Sequence, residues 1–218
     1  MAELQELIDL TIKGKSIQAK KVTRELLDDG ISANSILNDG LLVAMNHISK
    51  KFETYDVFVP EVLIVARVVN KVMKILEPLL STSDRKYIGK AVVGTVHGDL
   101  HDIGKNLVIL MFRSKGIETI DLGSDVSPKQ FIDAAVEENA QIIGCSTLLT
   151  ITMEKMSEVV GEAKRRKIRD KVCIMVGGAP VTQPYCNSIG ADIYTENAAQ
   201  AASRAAEYLN SLNNSEHQ

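Results

Sequence analysis

Tryptophan is absent from this chain, aromatics reach only 4%, and 218 residues include just three cysteines and five prolines. The cysteines, Cys145, Cys173 and Cys186, form neither a C-x-x-C pair nor an even disulfide set, so no disulfide framework or thiol–zinc knuckle is expected. Charge of one sign is also lacking: 25 Lys and Arg against 28 Asp and Glu give a formal net charge of −3. Such a balance provides no basic field for nucleic acid or an anionic membrane surface. The longest apolar run, Val57 to Val69, is broken by Pro60, Glu61 and Arg67, which excludes a membrane span. No positive leader precedes an apolar stretch at Met1-Ala2-Glu3-Leu4, so a reduced, cytoplasmic protein is expected. What the chain does have is 45% apolar residues and enough length for one large domain or two small ones.

Two halves with different periods are visible. Residues 1–80 read as a four-helix bundle. Glu3 to Lys13 and Ser16 to Leu27 are amphipathic, a third helix is expected after Ser32 as N-cap, and a fourth opens at Pro60-Glu61. Val62, Val65, Val69, Val72, Leu76 and Leu79 give that fourth helix one buried stripe. Residues 81–88 serve as linker, with Ser81 to Arg85 polar and aperiodic. From residue 89 to 218 the pattern becomes α/β. Short apolar runs at Lys90–Val96, Ile117–Leu122, Gln141–Cys145, Val172–Val176 and Ala191–Tyr194 each precede a helical stretch. Those helices are Ile103–Ser114, Pro128–Glu138, Met153–Lys167, Gln183–Ser188 and Ala198–Leu212, with Asn213 to Gln218 expected to fray. Five such units predict a doubly wound, five-stranded parallel sheet of flavodoxin or Rossmann type, with ligands beyond the carboxyl ends of its strands.

The loop after the first strand carries the chemistry. It reads Gly94-Thr95-Val96-His97-Gly98-Asp99-Leu100-His101-Asp102-Ile103-Gly104-Lys105-Asn106. Phosphate-loop and dinucleotide spacings are both missing. On these residues alone two readings stay open. His97, Asp99, His101 and Asp102 could each donate to a first-row metal, as in a zinc hydrolase. Alternatively Asp102 caps a helix and the histidines are merely exposed.

A wider pattern bears on the choice. Asp99-Leu100-His101-Asp102-Ile103-Gly104 fits D-x-H-x-x-G; 41 residues later Ser146-Thr147-Leu148 fits S-x-L; 28 residues after that comes Gly177-Gly178. In these elements and their order the chain resembles the cobalamin-binding proteins. Its helical first half is similar to the cap module of methionine synthase, and the whole to the stand-alone corrinoid proteins of methanogen- and acetogen-type methyltransferase systems.

That resemblance implies cobalamin or a related corrinoid as cofactor, alternating between cob(I)alamin and methylcob(III)alamin, with His101 as the lower axial cobalt ligand in place of the cofactor's own benzimidazole. Asp99 is implied as acceptor for the other ring nitrogen, and Thr152, six residues after Ser146, as the hydroxyl completing a relay. Asp102, Ile103, Gly104, Ser146, Leu148, Thr150, Gly177, Gly178, Ala179 and Tyr194 are implied along the corrin and its buried nucleotide tail. Met45 and Tyr55 to Glu61 match the segment that shields the upper cobalt face, although Met45 on an apolar stripe also suits a core. His97 lies outside the motif and reads as a loop residue. Lys164 to Lys167 reads as a solvated helix end, and Cys145 and Cys173 as inert core thiols.

The function implied is a non-catalytic methyl carrier of one-carbon metabolism. A substrate-specific corrinoid methyltransferase would load it, a second methyltransferase would unload it to tetrahydrofolate or coenzyme M, and a reductive activase would rescue it after oxidation. The donor, whether methanol, a methylamine, a betaine or an aromatic methyl ether, is set by the partner. Rival readings are the cobalamin subunit of a mutase, which needs no cap; a cobalamin-dependent regulator, which usually adds a DNA-binding domain; and the zinc hydrolase, which leaves S-x-L and Gly-Gly unexplained.

Overall fold

The computed structural model describes residues 3–79 and 87–215. The chain divides into two compact units, Met1–Lys86 and Tyr87–Gln218. The expected linker Ser81 to Arg85 lies outside the described residues.

The first unit is helical: α1 (Leu4–Ile12), α2 (Ser16–Asp28), a single turn α3 (Ala33–Ser35), α4 (Leu42–Glu53) and α5 (Val59–Leu76). Ser32 caps α3 by accepting the Ser35 amide at 3.1 Å. The expected third helix runs without a break from Ala33 to Glu53, but it widens into a π turn at Ile36–Leu41. Gly40 in that turn lies close against α1, where a Cβ would come within 3.3 Å of the Leu7 side chain. Val62, Val65, Val69, Val72 and Leu76 are buried along α5, but Leu79 is exposed. Pro78 has no amide to continue the helix, so Glu77–Leu79 tightens into a 3-10 turn and Leu79 leaves the stripe. Met45 is 1% exposed and belongs to this core, whereas Tyr55 and Phe58 stand in solvent.

The second unit alternates β1 (Gly89–Thr95), α6 (Ile103–Ser114), β2 (Ile117–Asp121), α7 (Pro128–Glu137), β3 (Ile142–Ser146), α8 (Glu154–Arg165), β4 (Cys173–Gly177), α9 (Gln183–Ile189), β5 (Ile193–Tyr194) and α10 (Ala198–Ser215). All strands run parallel in the order β2-β1-β3-β4-β5. Strand order therefore reverses between β1 and β3, the position beyond whose carboxyl ends open parallel sheets bind their ligands. The central strands are apolar on both faces because helices cover both, with α6 packed on α10 and α7 on α8. Local signals agree with this layout. Ser127 and Gln130 form a capping box at α7, and α9 ends on Gly190 at φ 76°. Asn213 does not fray as expected: α10 continues to Ser215, and the Asn213 side-chain amide donates to Ile88 O at 3.0 Å.

Among the described residues no helix is long and apolar enough to cross a membrane. Cys145, Cys173 and Cys186 are all buried, and burial pushes the Cys145 and Cys173 thiols up to about 12. Thiolate is the reactive form. An aromatic disulfide reagent at mildly alkaline pH should therefore label none of the three in the native protein and all three after denaturation in guanidinium. Rapid labelling of even one native thiol would contradict the packing.

Candidate functional site

The β1–α6 loop and the loops after β3 and β4 meet at the strand-order reversal. Asp99 is fully buried there, and both of its carboxylate oxygens are used. Oδ1 accepts the His101 backbone amide at 3.0 Å and faces His101 Nδ1 at 2.7 Å. Oδ2 accepts from the Leu148 amide at 2.7 Å, the Thr147 hydroxyl at 2.9 Å and the Leu149 amide at 3.3 Å. Burial alone would raise this carboxyl. The His101 and Leu148 amides, the His101 ring and the Thr147 hydroxyl outweigh it and hold Asp99 well below the usual carboxylate range.

An ionised Asp99 has no proton to give, so Nδ1 of His101 must carry one. Nε2 then keeps its lone pair on a side chain that is 53% exposed. The Thr95 hydroxyl, donating to His101 O at 2.9 Å, fixes the turn from behind. This is an imidazole held in one tautomer and presented outward as a single donor.

The hydroxyl relay differs from the sequence expectation. Thr152 Oγ1 stands 3.5 Å from Asp99 Oδ2, while Thr147 is at 2.9 Å and lies 2.6 Å from Thr152. A hydroxyl has one proton. With Thr147 donating to Asp99, Thr152 donates to Thr147, and the order is His101–Asp99–Thr147–Thr152. Thr147 occupies the unspecified position of S-x-L and follows a strand buried on both faces, so no alternation in the sequence points to it.

The histidines do not converge. His97 Nδ1 pairs with Asp125 at 2.7 Å, apart from the His101–Asp99 pair. Among the described residues no group of three His, Cys, Asp or Glu side chains could hold a metal ion. The donor set is thus one imidazole, which suits a metal that brings its remaining ligands with it and does not suit a bare zinc ion.

The surroundings fit a large planar group with an appended tail. Leu100, Ile103, Leu148 and Ile151 are exposed apolar side chains on the same loops, between 47% and 82% accessible. Gly104 opens α6 with nothing within 4 Å of where a Cβ would stand, so the protein's own packing does not demand a glycine. Asp102 occupies the α6 N-cap position without capping; its carboxylate accepts from the Asn106 side chain at 3.1 Å. Ser146 ends β3 and Gly177 ends β4, paired in register; Ser146 makes no side-chain hydrogen bond among the described residues. A Cβ on Gly177 would meet Thr195 O at an ordinary 3.7 Å.

Gly178 behaves differently. Its φ is 132°, and a Cβ there would run into the carbonyl oxygen of Thr147. That glycine is required by the neighbouring loop whether or not a tail passes it. Ala179 and Thr150 are exposed, and Thr150 opens a 3-10 turn, Thr150–Thr152. Tyr194 packs against the hydrophobic core, which accounts for it without a ligand.

Sequence reasoning missed three further groups. Lys105, only 2% exposed, donates to Asp121 Oδ1 at 2.6 Å. Burial would raise the Asp121 carboxyl, but Lys105 and the Gly123 amide hold it below the ordinary range. Asp125 is the third. Asp121 and Asp125 lie at the end of β2 and after it and meet the loop only in space, whereas Lys105 follows Gly104 directly and reads as a surface helix residue until the fold buries it.

Family models and known proteins similar to this chain are B12-binding or corrinoid proteins. Residues 89–203 match a family described as B12 binding domain, and residues 3–77 match a second B12 binding domain model. The chain is 38% identical to dimethylamine corrinoid protein 1 of Methanosarcina mazei, across 96% of this chain and 95% of that protein. It is 36% identical to the trimethylamine corrinoid protein of Methanosarcina barkeri, across 88% and 89%. Among solved structures it resembles a chain of the methanol:cobalamin methyltransferase complex of Methanosarcina barkeri, with TM-score 0.85, 25% identity, and coverage of 93% of this chain and 78% of that one. A cobalamin-binding protein of Desulfitobacterium hafniense gives TM-score 0.73 at 27% identity, with coverage of 95% and 99%.

Proposed function

Because the chain belongs to the B12-binding corrinoid proteins of methyltransferase systems, we propose that it is a methyl carrier loaded from a methylated amine. Residues 1–80 act as its helical module and residues 89–218 as the module that holds the corrinoid. The observation carrying this reading is the His101–Asp99 pair, with Nε2 bare and Nδ1 tied at 2.7 Å to a buried carboxylate. A bound corrinoid supplies a cobalt centre that accepts a methyl group and passes it on. His101 would hold that metal through Nε2, and Asp99 would fix the ring's tautomer and orientation. Thr147 and the Leu148 and Leu149 amides keep Asp99 ionised. Asp102, Ile103, Gly104 and Leu148 would line the corrin, and Ser146, Gly177 and Ala179 its tail. No residue of this chain is assigned a bond-breaking role.

Two methyltransferases act on the carrier in this scheme, one specific for the amine and one for the acceptor, with a reductive activase to restore the reduced cobalt. Identities of 36% to 39% with dimethylamine and trimethylamine corrinoid proteins support an amine donor. The test is an anaerobic titration with hydroxocobalamin beside His101→Ala, followed by methylation with purified dimethylamine and methanol methyltransferases. One equivalent should bind with a histidine-ligated spectrum, His101→Ala should lose that spectrum, and the dimethylamine enzyme should load the carrier. Failure of the wild type to bind would sink the carrier reading. Loading by the methanol enzyme alone would sink the donor assignment.

A further inference from the structure

The motif residues lie on the loops after β1, β3 and β4, yet the loop after β2 also holds the ligand loop. Asp125 is its centre. Its backbone amide donates to Asp99 O at 3.0 Å, and its Oδ1 accepts the Gly98 amide at 2.7 Å and faces His97 Nδ1 at 2.7 Å. The Gly98 amide, with the His97 ring, keeps the Asp125 carboxyl below its ordinary range, as an acceptor in steady use would be. Asp125 adopts φ 58°, a left-handed conformation that Asp and Asn tolerate better than other side chains. Thr95 N donates to Gly123 O, Val126 N donates to Thr95 O, and Val96 and Val126 form a parallel bridge. On the far side of His101, buried Lys105 ties the start of α6 to Asp121. The ligand loop is therefore pinned before His101 at Gly98 and Asp99, and after it at Lys105.

Resting on the corrinoid reading above, we propose that Asp125 is a positioning residue for the His101 ligand, acting through the backbone of Gly98 and Asp99 with His97 as its brace. The Asp99 side chain has to reach His101 Nδ1 with one oxygen and Leu148 with the other, both at 2.7 Å. That double reach holds only while the Asp99 backbone stays where the Asp125 amide and the Gly98 clasp keep it. Asp125 is exposed, so it can be changed without opening the core. Lys105 cannot, since removing one partner of a buried ion pair threatens folding itself.

Two substitutions in the full chain separate the possibilities. Asp125→Gly deletes the carboxylate and still accepts the left-handed backbone, while Asp125→Asn keeps both an acceptor oxygen and that backbone. In corrinoid-free protein, amide exchange at Gly98 and His101 should speed up by on the order of tenfold in Asp125→Gly, from loss of a charge-assisted hydrogen bond, and stay near wild type in Asp125→Asn. With hydroxocobalamin bound, the histidine-ligated spectrum should fade in Asp125→Gly and return in Asp125→Asn. Wild-type exchange and an undiminished spectrum in Asp125→Gly would overturn the proposal. If that variant fails to fold, His97→Ala decides: several-fold faster Gly98 exchange supports the clasp, and unchanged exchange overturns it. A wild type that binds no corrinoid sinks the carrier reading and this proposal together. A histidine-ligated wild type with an equally ligated Asp125→Gly sinks this proposal alone.

Discussion

Replacing Asp99 by Asn is expected to cut the population of the His101-ligated form by about 10–100-fold while leaving the protein folded. The reasoning is a count of protons. Oδ2 of Asp99 faces two backbone amides that can only donate, Leu148 at 2.7 Å and Leu149 at 3.3 Å. An Asn must turn its oxygen toward them, so its NH2 faces both the His101 ring and the His101 backbone amide, which loses its acceptor. The ring can tolerate that contact by moving its own proton from Nδ1 to Nε2. Nε2 then has no lone pair to offer a metal. Long-range nitrogen–proton spectra of the corrinoid-free protein should show the tautomer change, and visible spectra of the loaded protein should show the lost ligand. Unchanged tautomer and spectrum would contradict the whole account of the relay.

The same substitution should change behaviour in acid. The folded-state value of Asp99 is depressed, whereas the unfolded carboxyl titrates at about 3.9. Between those two values the unfolded chain binds the extra proton, so this group's stabilisation is complete above pH about 4 and declines as pH falls toward the depressed value. Asp99→Asn should therefore flatten that part of the acid limb. Thermal melting from about pH 4 downward measures it; an equally steep limb in the variant would mean other carboxylates carry it.

The parts of this protein legible in its sequence are those governed by local periodicity or by fixed spacing. Helix α6 has the bounds expected for it because Leu107, Ile109, Met111 and Phe112 bury one face and Lys115-Gly116 ends the pattern. The Asp99 and His101 pair was legible because the two residues lie on one short loop. Thr147 was not, because its role depends on β3 lying beside β1, with Thr95 opposite Ser146 in register. Asp125 was illegible for the same reason: an Asp after a short strand reads as turn chemistry until the sheet order brings it onto the ligand loop. Lys105 follows Gly104 directly, and a Lys in a helix reads as surface until β2 places Asp121 against it. The π turn at Ile36–Leu41 was hidden in a different way, since its apolar residues keep a helical spacing whichever turn they wind.

Two glycines of the motif should respond to alanine with opposite signs. Gly178→Ala places a Cβ against the Thr147 carbonyl at a φ of 132° that L-residues avoid. Backbone strain of this kind costs about 1–3 kcal/mol before the collision is added. Thr147 and the two residues after it supply the donors to Asp99 Oδ2, so any relief of the clash loosens the relay. A loss of roughly 3 kcal/mol or more is expected, lowering the melting temperature by about 10 °C, together with a weakened histidine-ligated spectrum. Gly104→Ala meets no atom of the protein within 4 Å and replaces a glycine in a helix. It should raise stability by up to about 1 kcal/mol in the corrinoid-free protein, yet weaken corrinoid binding about tenfold or more if the macrocycle lies against that backbone. Calorimetry without the cofactor and titration with it separate the two effects. A Gly104→Ala protein that is more stable and binds as tightly as wild type would move the corrin away from the first turn of α6.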